Sequence, residues 1–293
     1  MTIKTALIQL CATPDVAANM ATTVRLVASA ADQGAEIVFL PEAFAFIGPD
    51  REKRLILESL PAAVAVESVA AAAAPPMQAG HDAPGGPLLE QCRELARTHA
   101  IHLILGGFHE ASSDPERSYN TCIHLGSDGA ILARYRKMHL FDVDLADGTS
   151  LRESKRTLAG TQAVVTQTPL GTLGLTICYD LRFPYLYQKL VDMGATALTV
   201  PSAFTATTGA AHWHTLLRAR AIESQCYVIA PAQYGHHHGK RHSYGHSLVV
   251  DPWGEIIAEA GAAEAVILAQ IDPDRVHQVR TELPSLQHRR SLL

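Results

Sequence analysis

Three apolar runs in this chain each end in a side chain that could take part in a reaction. Leu173-Gly174-Leu175-Thr176-Ile177 leads into Cys178, and a helical pattern opens at Pro184. Ile37-Val38-Phe39-Leu40-Pro41 leads into Glu42, and the run from Ala130 is followed by Tyr135-Arg136-Lys137-Met138-His139. A nucleophile, a proton acceptor and a cation are thus carried by three strand ends, and strand carboxyl ends are where open α/β sheets gather their active sites. Taken alone, Cys178 reads equally well as a buried structural thiol. Its company makes it a candidate nucleophile. A free thiol titrates at about 8.5, so it needs help to react at neutral pH. Lys137 and the start of the following helix are expected to draw out the thiolate, with the Tyr179 N–H placed to hold a developing oxyanion.

These groups need a scaffold that brings distant strand ends together. Alternation and short apolar runs predict strands over residues 3–10, 37–40, 101–105, 121–125, 130–134, 163–168, 173–178, 197–200, 227–230, 247–251, 255–259 and 266–271. Helical patterns fall between them over 16–31, 87–99, 184–193, 210–224 and 273–283. Asp128-Gly129 and Pro252-Trp253-Gly254 read as hairpin turns, so the sheets are mixed. About a dozen strands overfill one open sheet, and two sheets packed face to face with helices outside bury them better. The expectation is an α/β four-layer α-β-β-α sandwich of two mixed β-sheets. It forms a single domain over 1–293, with an Ala/Pro/Gly-rich insertion at about 61–86 that reads as a surface loop or as a lid.

Composition narrows the function classes. The 293 residues carry a formal net charge of −5 and are 47% hydrophobic. No basic surplus exists to neutralise a phosphate backbone or an anionic membrane, which argues against nucleic-acid and membrane partners. The start of the chain lacks the pattern of a secretory signal and no apolar run approaches a membrane span, so a cytoplasmic enzyme is expected. Five cysteines, an odd number without paired spacing, argue against a disulfide framework and a structural zinc site.

Leu40-Pro41-Glu42, Tyr135-Arg136-Lys137-Met138-His139-Leu140 and Ile177-Cys178-Tyr179-Asp180-Leu181-Arg182-Phe183-Pro184 resemble, in order, the three signature segments of the nitrilase superfamily of carbon–nitrogen hydrolases. The resemblance implies a catalytic triad of Glu42, Lys137 and Cys178, with Glu153 in Ser150-Leu151-Arg152-Glu153-Ser154 as a second glutamate. Tyr179, Arg182, Phe204 and Thr205 are the candidate oxyanion and substrate-binding residues. Pro201-Ser202-Ala203-Phe204, the segment from Gly209 to Val228 and Ser243-Tyr244-Gly245-His246-Ser247 resemble the branch whose members hydrolyse deaminated glutathione and related omega-amides. The resemblance therefore implies an amidase working through a thioester on a small-molecule amide, without metal or other cofactor, in a homo-oligomer. Alternatives are an omega-amidase acting on alpha-ketoglutaramate, a nitrilase, and a catalytically silent binding protein on the same fold. The presence of all four site residues counts against the last.

Other features have blander readings. His236-His237-His238-Gly239-Lys240-Arg241-His242 reads as a polar loop or anion-binding patch in preference to a metal site, for want of carboxylates and fixed spacing. His212 and His214 read as packing or contact residues on an amphipathic helix. Arg182 reads as a substrate-carboxylate holder or as the partner of an acid such as Asp180. Cys11, Cys122 and Cys226 read as core.

Overall fold

Along the strand Ile3–Gln9 successive side chains point to opposite faces, and both faces are buried: Leu7 joins one apolar cluster, Ala6 and Ile8 another. A strand covered on both sides belongs inside a layered structure. The computed structural model describes residues 1–60, 85–144 and 150–290. The insertion expected at about 61–86 therefore lies outside the described residues, except for its last two glycines.

Among the described residues one six-stranded sheet runs, in spatial order, Ala265–Ile271, Ile3–Gln9, Ile37–Phe39, His102–Ala111, Ser118–Leu125 and Ile131–Arg136. The other runs Ile256–Glu259, Leu248–Val250, Tyr227–Ala230, Ala197–Thr199, Gly171–Leu175 and Val164–Thr168. Each has parallel strands at its centre and antiparallel strands towards its edges. Helices Val16–Asp32 and Pro87–His99 cover the first sheet through Leu26, Val27, Leu89 and Ala96, which pack with Ala6, Ile8, Val38 and Leu103. Helices Pro184–Asp192 and Ala206–Ser224 cover the second through Tyr187, Leu190, Trp213 and Leu217. Leu7, Phe39 and Ile104 of the first sheet share that cluster with Leu173, Leu175 and Leu198 of the second. These are the four layers of the α-β-β-α sandwich expected from the pattern. Both expected hairpins form, Ser118–Leu125 with Ile131–Arg136 and Leu248–Val250 with Ile256–Glu259. No described helix is long and apolar enough to cross a membrane.

Several elements depart from the expectation. The run expected to end at 178 pairs only through Leu175, because Cys178 N–H donates to Pro201 O at 2.9 Å and the chain turns into a 3-10 segment, Cys178–Arg182. The His-rich stretch is a hairpin, Tyr234–His238 against Arg241–Tyr244, and not a loop. A second small hairpin, Asp142–Asp144 with Ser150–Arg152, is too short to leave an alternation signal. Cys122 and Cys226 are core, but Cys11 is only half-buried, because it stands just past its strand beside the His236 carbonyl and the His237 ring.

The strand expected over 101–105 continues to Ala111 through a bulge between Leu105 and Phe108. Gly106 and Gly107 occupy that bulge for lack of room. A Cβ on Gly106 would stand 2.0 Å from Leu40 O and 2.4 Å from Pro201 Cβ, and one on Gly107 would stand 3.0 Å from Glu42 Cγ and 2.8 Å from Asn120 Oδ1. The glycines let the strand end that carries Glu42 lie directly on its neighbour, with Ala43 N–H donating to Gly107 O at 3.0 Å. Gly106→Ala should lower the unfolding free energy by about 3 kcal/mol, the upper range for overpacking against rigid backbone. A denaturant midpoint equal to that of the unchanged protein would contradict this packing.

Candidate active site

Glu42, Lys137, Cys178 and Glu153 arrive from four separate segments and meet at one end of the sandwich. Lys137 follows its strand directly; its N–H donates to Asn120 O at 2.9 Å and its carbonyl accepts from Gly160 N–H at 2.8 Å. Its side chain is 2% exposed. The ammonium donates to Glu42 Oε1 at 2.9 Å and to Glu153 Oε1 and Oε2 at 3.1 and 2.9 Å. Glu42 is held on its other side by Asn120 Nδ2, donating to Oε1 at 2.8 Å, and by Ala203 N–H, donating to Oε2 at 2.9 Å. Glu153 opens the 3-10 turn Glu153–Lys155 and also accepts from Phe141 N–H at 2.7 Å. The Cys178 thiol donates to the Glu42 carboxylate, and the Ala203 N–H also faces its sulfur. The thiol therefore lies against Glu42 and close enough to the Lys137 ammonium to feel its charge.

Cys178 has φ +49, in the left-handed region that non-glycine residues seldom occupy. Asp180, fully buried, locks the turn. Its Oδ2 accepts from Ile177 N–H at 2.8 Å and from Tyr135 Oη at 2.7 Å, and its Oδ1 accepts from His139 N–H at 3.1 Å with His139 Nδ1 at 2.7 Å. Tyr135 and His139 flank Lys137, so one carboxylate joins the nucleophile's turn to the ammonium's segment across the two sheets. The pairing of Asp180 with Arg182 considered from sequence does not occur. Asp180 is consumed by this lock, and Arg182 instead lies 3.3 Å from His212 Nδ1, with its guanidinium 5.2 Å from the Phe204 ring.

Beside Cys178 a cleft of about 210 Å³ is lined by Phe141, Tyr179, Arg182, Ala203, Phe204, Thr205 and Thr208. Every residue assigned to the site from the sequence falls in the polar cluster around Lys137 or on this wall. Sequence reasoning missed Asn120, the Ala203 amide, Phe141 and Thr208. The first two act through one amide group each, while Phe141 follows the segment that ends at Leu140 and Thr208 falls between Phe204 and Gly209, where no pattern was read.

Charge sets the protonation states. Burial works to raise the Glu42 carboxyl, but the Lys137 ammonium and the hydrogen bonds from Lys137, Cys178 and Ala203 hold it at about 2. Burial likewise disfavours the Lys137 ammonium, yet Glu153 and Glu42 keep it well above its ordinary value. Burial pushes the Cys178 thiol up, the Glu42 charge adds to that, and Lys137 offsets only part of it. This overturns the expectation that Lys137 would draw out a thiolate: its charge is already spent on two carboxylates, and the 3-10 turn offers no long helix to assist. The resting site pairs a neutral thiol with an ionised glutamate.

A buried thiol hydrogen-bonded to a carboxylate that is itself paired with an ammonium, at the edge of a two-sheet sandwich, is equipment for acyl transfer through sulfur. The chain belongs to the carbon–nitrogen hydrolase family, whose model, described as "Carbon-nitrogen hydrolase", matches residues 4–281, and it is a hydrolase of carbon–nitrogen bonds of the amidase kind. Human deaminated glutathione amidase is 45% identical over 97% of this chain and 81% of its own length. The protein of that name from Synechocystis is 42% identical over 97% of both chains. Among solved structures, the Caenorhabditis elegans NitFhit protein superposes with a TM-score of 0.85 at 40% identity, covering 99% of this chain, which spans only 65% of that longer protein. Saccharomyces cerevisiae Nit3, a member of branch 10 of the nitrilase superfamily, gives 0.80 at 32% identity over 97% of this chain and 94% of its own.

The charge arrangement makes a prediction about the free enzyme. Alkylation of Cys178 by iodoacetamide should be slow at neutral pH and should rise only above the ordinary thiol range. Glu42→Gln, which removes the carboxylate opposing ionisation, should move that rise to lower pH. A thiol in the unchanged protein that titrates below pH 7 would show that the resting pair is thiolate and ammonium.

Proposed function

We propose that the chain hydrolyses a primary amide through a Cys178 thioester and that its substrate is deaminated glutathione. The observation that carries the chemistry is the single bonded cluster of the Cys178 thiol, the Glu42 carboxylate and the Lys137 ammonium. Support for the substrate comes from relatives named deaminated glutathione amidase at 42–46% identity over nearly the whole chain.

In the first half-reaction the sulfur attacks the amide carbon as its proton passes to Glu42. The carbonyl electron pair moves onto oxygen, where the Lys137 ammonium and the Tyr179 N–H hold it. Collapse expels the nitrogen, which takes the proton from Glu42 and leaves as ammonia. Water then attacks the thioester, giving its proton to Glu42; the carbon–sulfur bond breaks, and the proton returns to sulfur. Glu42 thus needs to be ionised when substrate arrives, and its depressed titration supplies that state across the neutral range. Glu153 positions the ammonium through its two hydrogen bonds. Arg182, on the cleft wall with Phe204 and Thr205, pairs with a carboxylate of the substrate. Arg241 adds positive charge on the Glu153 side, where Lys53 feels Glu153, Arg241 and Lys137 together.

Cys178→Ala should abolish turnover with its unfolding midpoint preserved, and Glu42→Gln should lower kcat by about 10²–10⁴-fold, the worth of a general acid–base, in a protein that circular dichroism shows to be folded. Lys137→Met is a poorer probe, since it strands the buried Glu42 carboxylate and the half-buried Glu153 carboxylate and costs about 3–5 kcal/mol of stability. Ammonia release should favour deaminated glutathione over alpha-ketoglutaramate and over nitriles, and Arg182→Ala should raise KM more than it lowers kcat. A Cys178→Ala protein that still turns over would defeat the mechanism, while a preference for alpha-ketoglutaramate would defeat only the choice of substrate.

A further inference from the structure

Away from these residues, three potential ligands converge from three elements. His214 lies on the helix Ala206–Ser224, Glu259 ends the edge strand Ile256–Glu259, and His246 stands in the connection between the His-rich hairpin and the strand Leu248–Val250. Both imidazoles address one carboxylate oxygen: His214 Nε2 lies 2.8 Å and His246 Nδ1 3.0 Å from Glu259 Oε1. One ligand atom from each of the three side chains falls within 4.8 Å of the others. The side chains are 32%, 27% and 35% exposed, so an ion could enter from solvent without opening the fold.

The backbone aims them. Gly245 and His246 are both left-handed, with φ +78 and +57, an uncommon state for a histidine. Trp213, the neighbour of His214 in sequence and fully buried, fixes that state by donating Nε1–H to His246 O at 2.8 Å. The Tyr244 ring stacks on His246 with centroids 4.4 Å apart and meets His214 edge-on at 6.0 Å. The imidazole orientations are thus set before any ion arrives.

We propose that His214, His246 and Glu259 form a binding site for a divalent transition-metal ion of the zinc class, separate from the reacting cluster. Two imidazoles and one carboxylate are the donor set such an ion takes, whereas magnesium and calcium require more oxygens. Zinc bonds of about 2.0–2.1 Å at tetrahedral angles place ligand atoms roughly 3.3 Å apart. The two nitrogen–oxygen separations are already within about half an ångström of that spacing, and the two imidazoles approach it by small side-chain rotations. Three protein ligands leave the fourth position to water. The bound ion would tie the helix Ala206–Ser224, whose first turn carries the cleft residue Thr208, to the edge of the second sheet.

Zinc and cobalt(II) titrations of the full chain, followed by calorimetry, metal analysis and thermal melting, test the site. The unchanged protein should bind one equivalent that His214→Ala, His246→Ala and Glu259→Gln each weaken at least tenfold. The melting temperature should rise with zinc in the unchanged protein and not in these variants. His236→Ala with His242→Ala, which removes the neighbouring histidine pair of the hairpin, should leave that equivalent in place. Cobalt(II) bound there should show the visible absorption of a low-coordinate nitrogen–oxygen site. Circular dichroism confirms that each variant is folded, and Glu259→Gln, nearly isosteric, serves if a histidine variant is not. Failure of the unchanged protein to bind, or equal affinity and stoichiometry in the His214 and Glu259 variants, would overturn the proposal. Loss of binding with the hairpin pair alone would overturn it as well.

Discussion

A lysine whose charged side chain is 2% exposed is the constraint around which this molecule is arranged. Removing such a charge from water costs several kcal/mol even after relaxation, and the cost is offset only where opposite charge and hydrogen bonds surround it closely. Glu42 and Glu153 supply three acceptor contacts between 2.9 and 3.1 Å. Two carboxylates around one ammonium leave a surplus of negative charge, however, and the neutral donors Asn120, Ala203 N–H and Phe141 N–H complete their coordination. The position of each follows from the fold. Asn120 lies on the strand beside the lysine, Ala203 follows the second sheet's central strand, and Phe141 begins the segment that returns towards Glu153.

That surplus also explains the nucleophile. In sites where cysteine rests as thiolate, an unspent cation or a long helix start lowers its titration. Here the cation is shared between two carboxylates, so burial and the Glu42 charge decide the balance and the sulfur keeps its proton. Activation then belongs to the moment of attack, when the carboxylate that opposes a thiolate becomes the base that receives the proton. A neutral thiol is less open to oxidation and alkylation than a stored thiolate, and the carboxylate remains ready throughout the neutral range.

The sequence shows the carriers of this chemistry and hides their supports. Glu42 and Cys178 are legible because each closes an apolar run, and Lys137 because it follows one; period-two patterning places strand ends well. Glu153 carries no such signal and was reached through resemblance, since it sits in a three-residue turn after a three-residue strand. Asn120 lies within a strand whose apolar neighbours read as ordinary sheet, and its role depends on a register across 78 residues that no local pattern encodes. Ala203 acts through its amide, which every residue except proline possesses. Gly106 and Gly107 announce a close approach or a bulge but not its partner, and the pair is intelligible only once Leu40 and Pro201 are seen against it. The two sheets and their covering helices were readable because burial on both faces leaves long apolar marks. The hairpin at Tyr234–His238 was not, because its polar side chains carry no alternation of hydrophobicity.

Asp180 shows why the arrangement holds without contribution from any one strand pair. The two sheets are joined mainly by apolar packing, which is strong but non-directional and would tolerate sliding of one sheet over the other by a fraction of an ångström. Chemistry between Cys178 on one sheet and Lys137 beside the other does not tolerate that. A buried carboxylate with four partners from Ile177, Tyr135 and His139 is directional and costly to break, so it fixes the register of one sheet against the other at the reacting end. Gln233 makes a second joint of this kind, accepting from Ala12 N–H at 2.9 Å and donating to Glu42 O at 3.0 Å. Hydrophobic burial builds the sandwich, and a few buried polar groups at one end set the geometry on which acyl transfer depends.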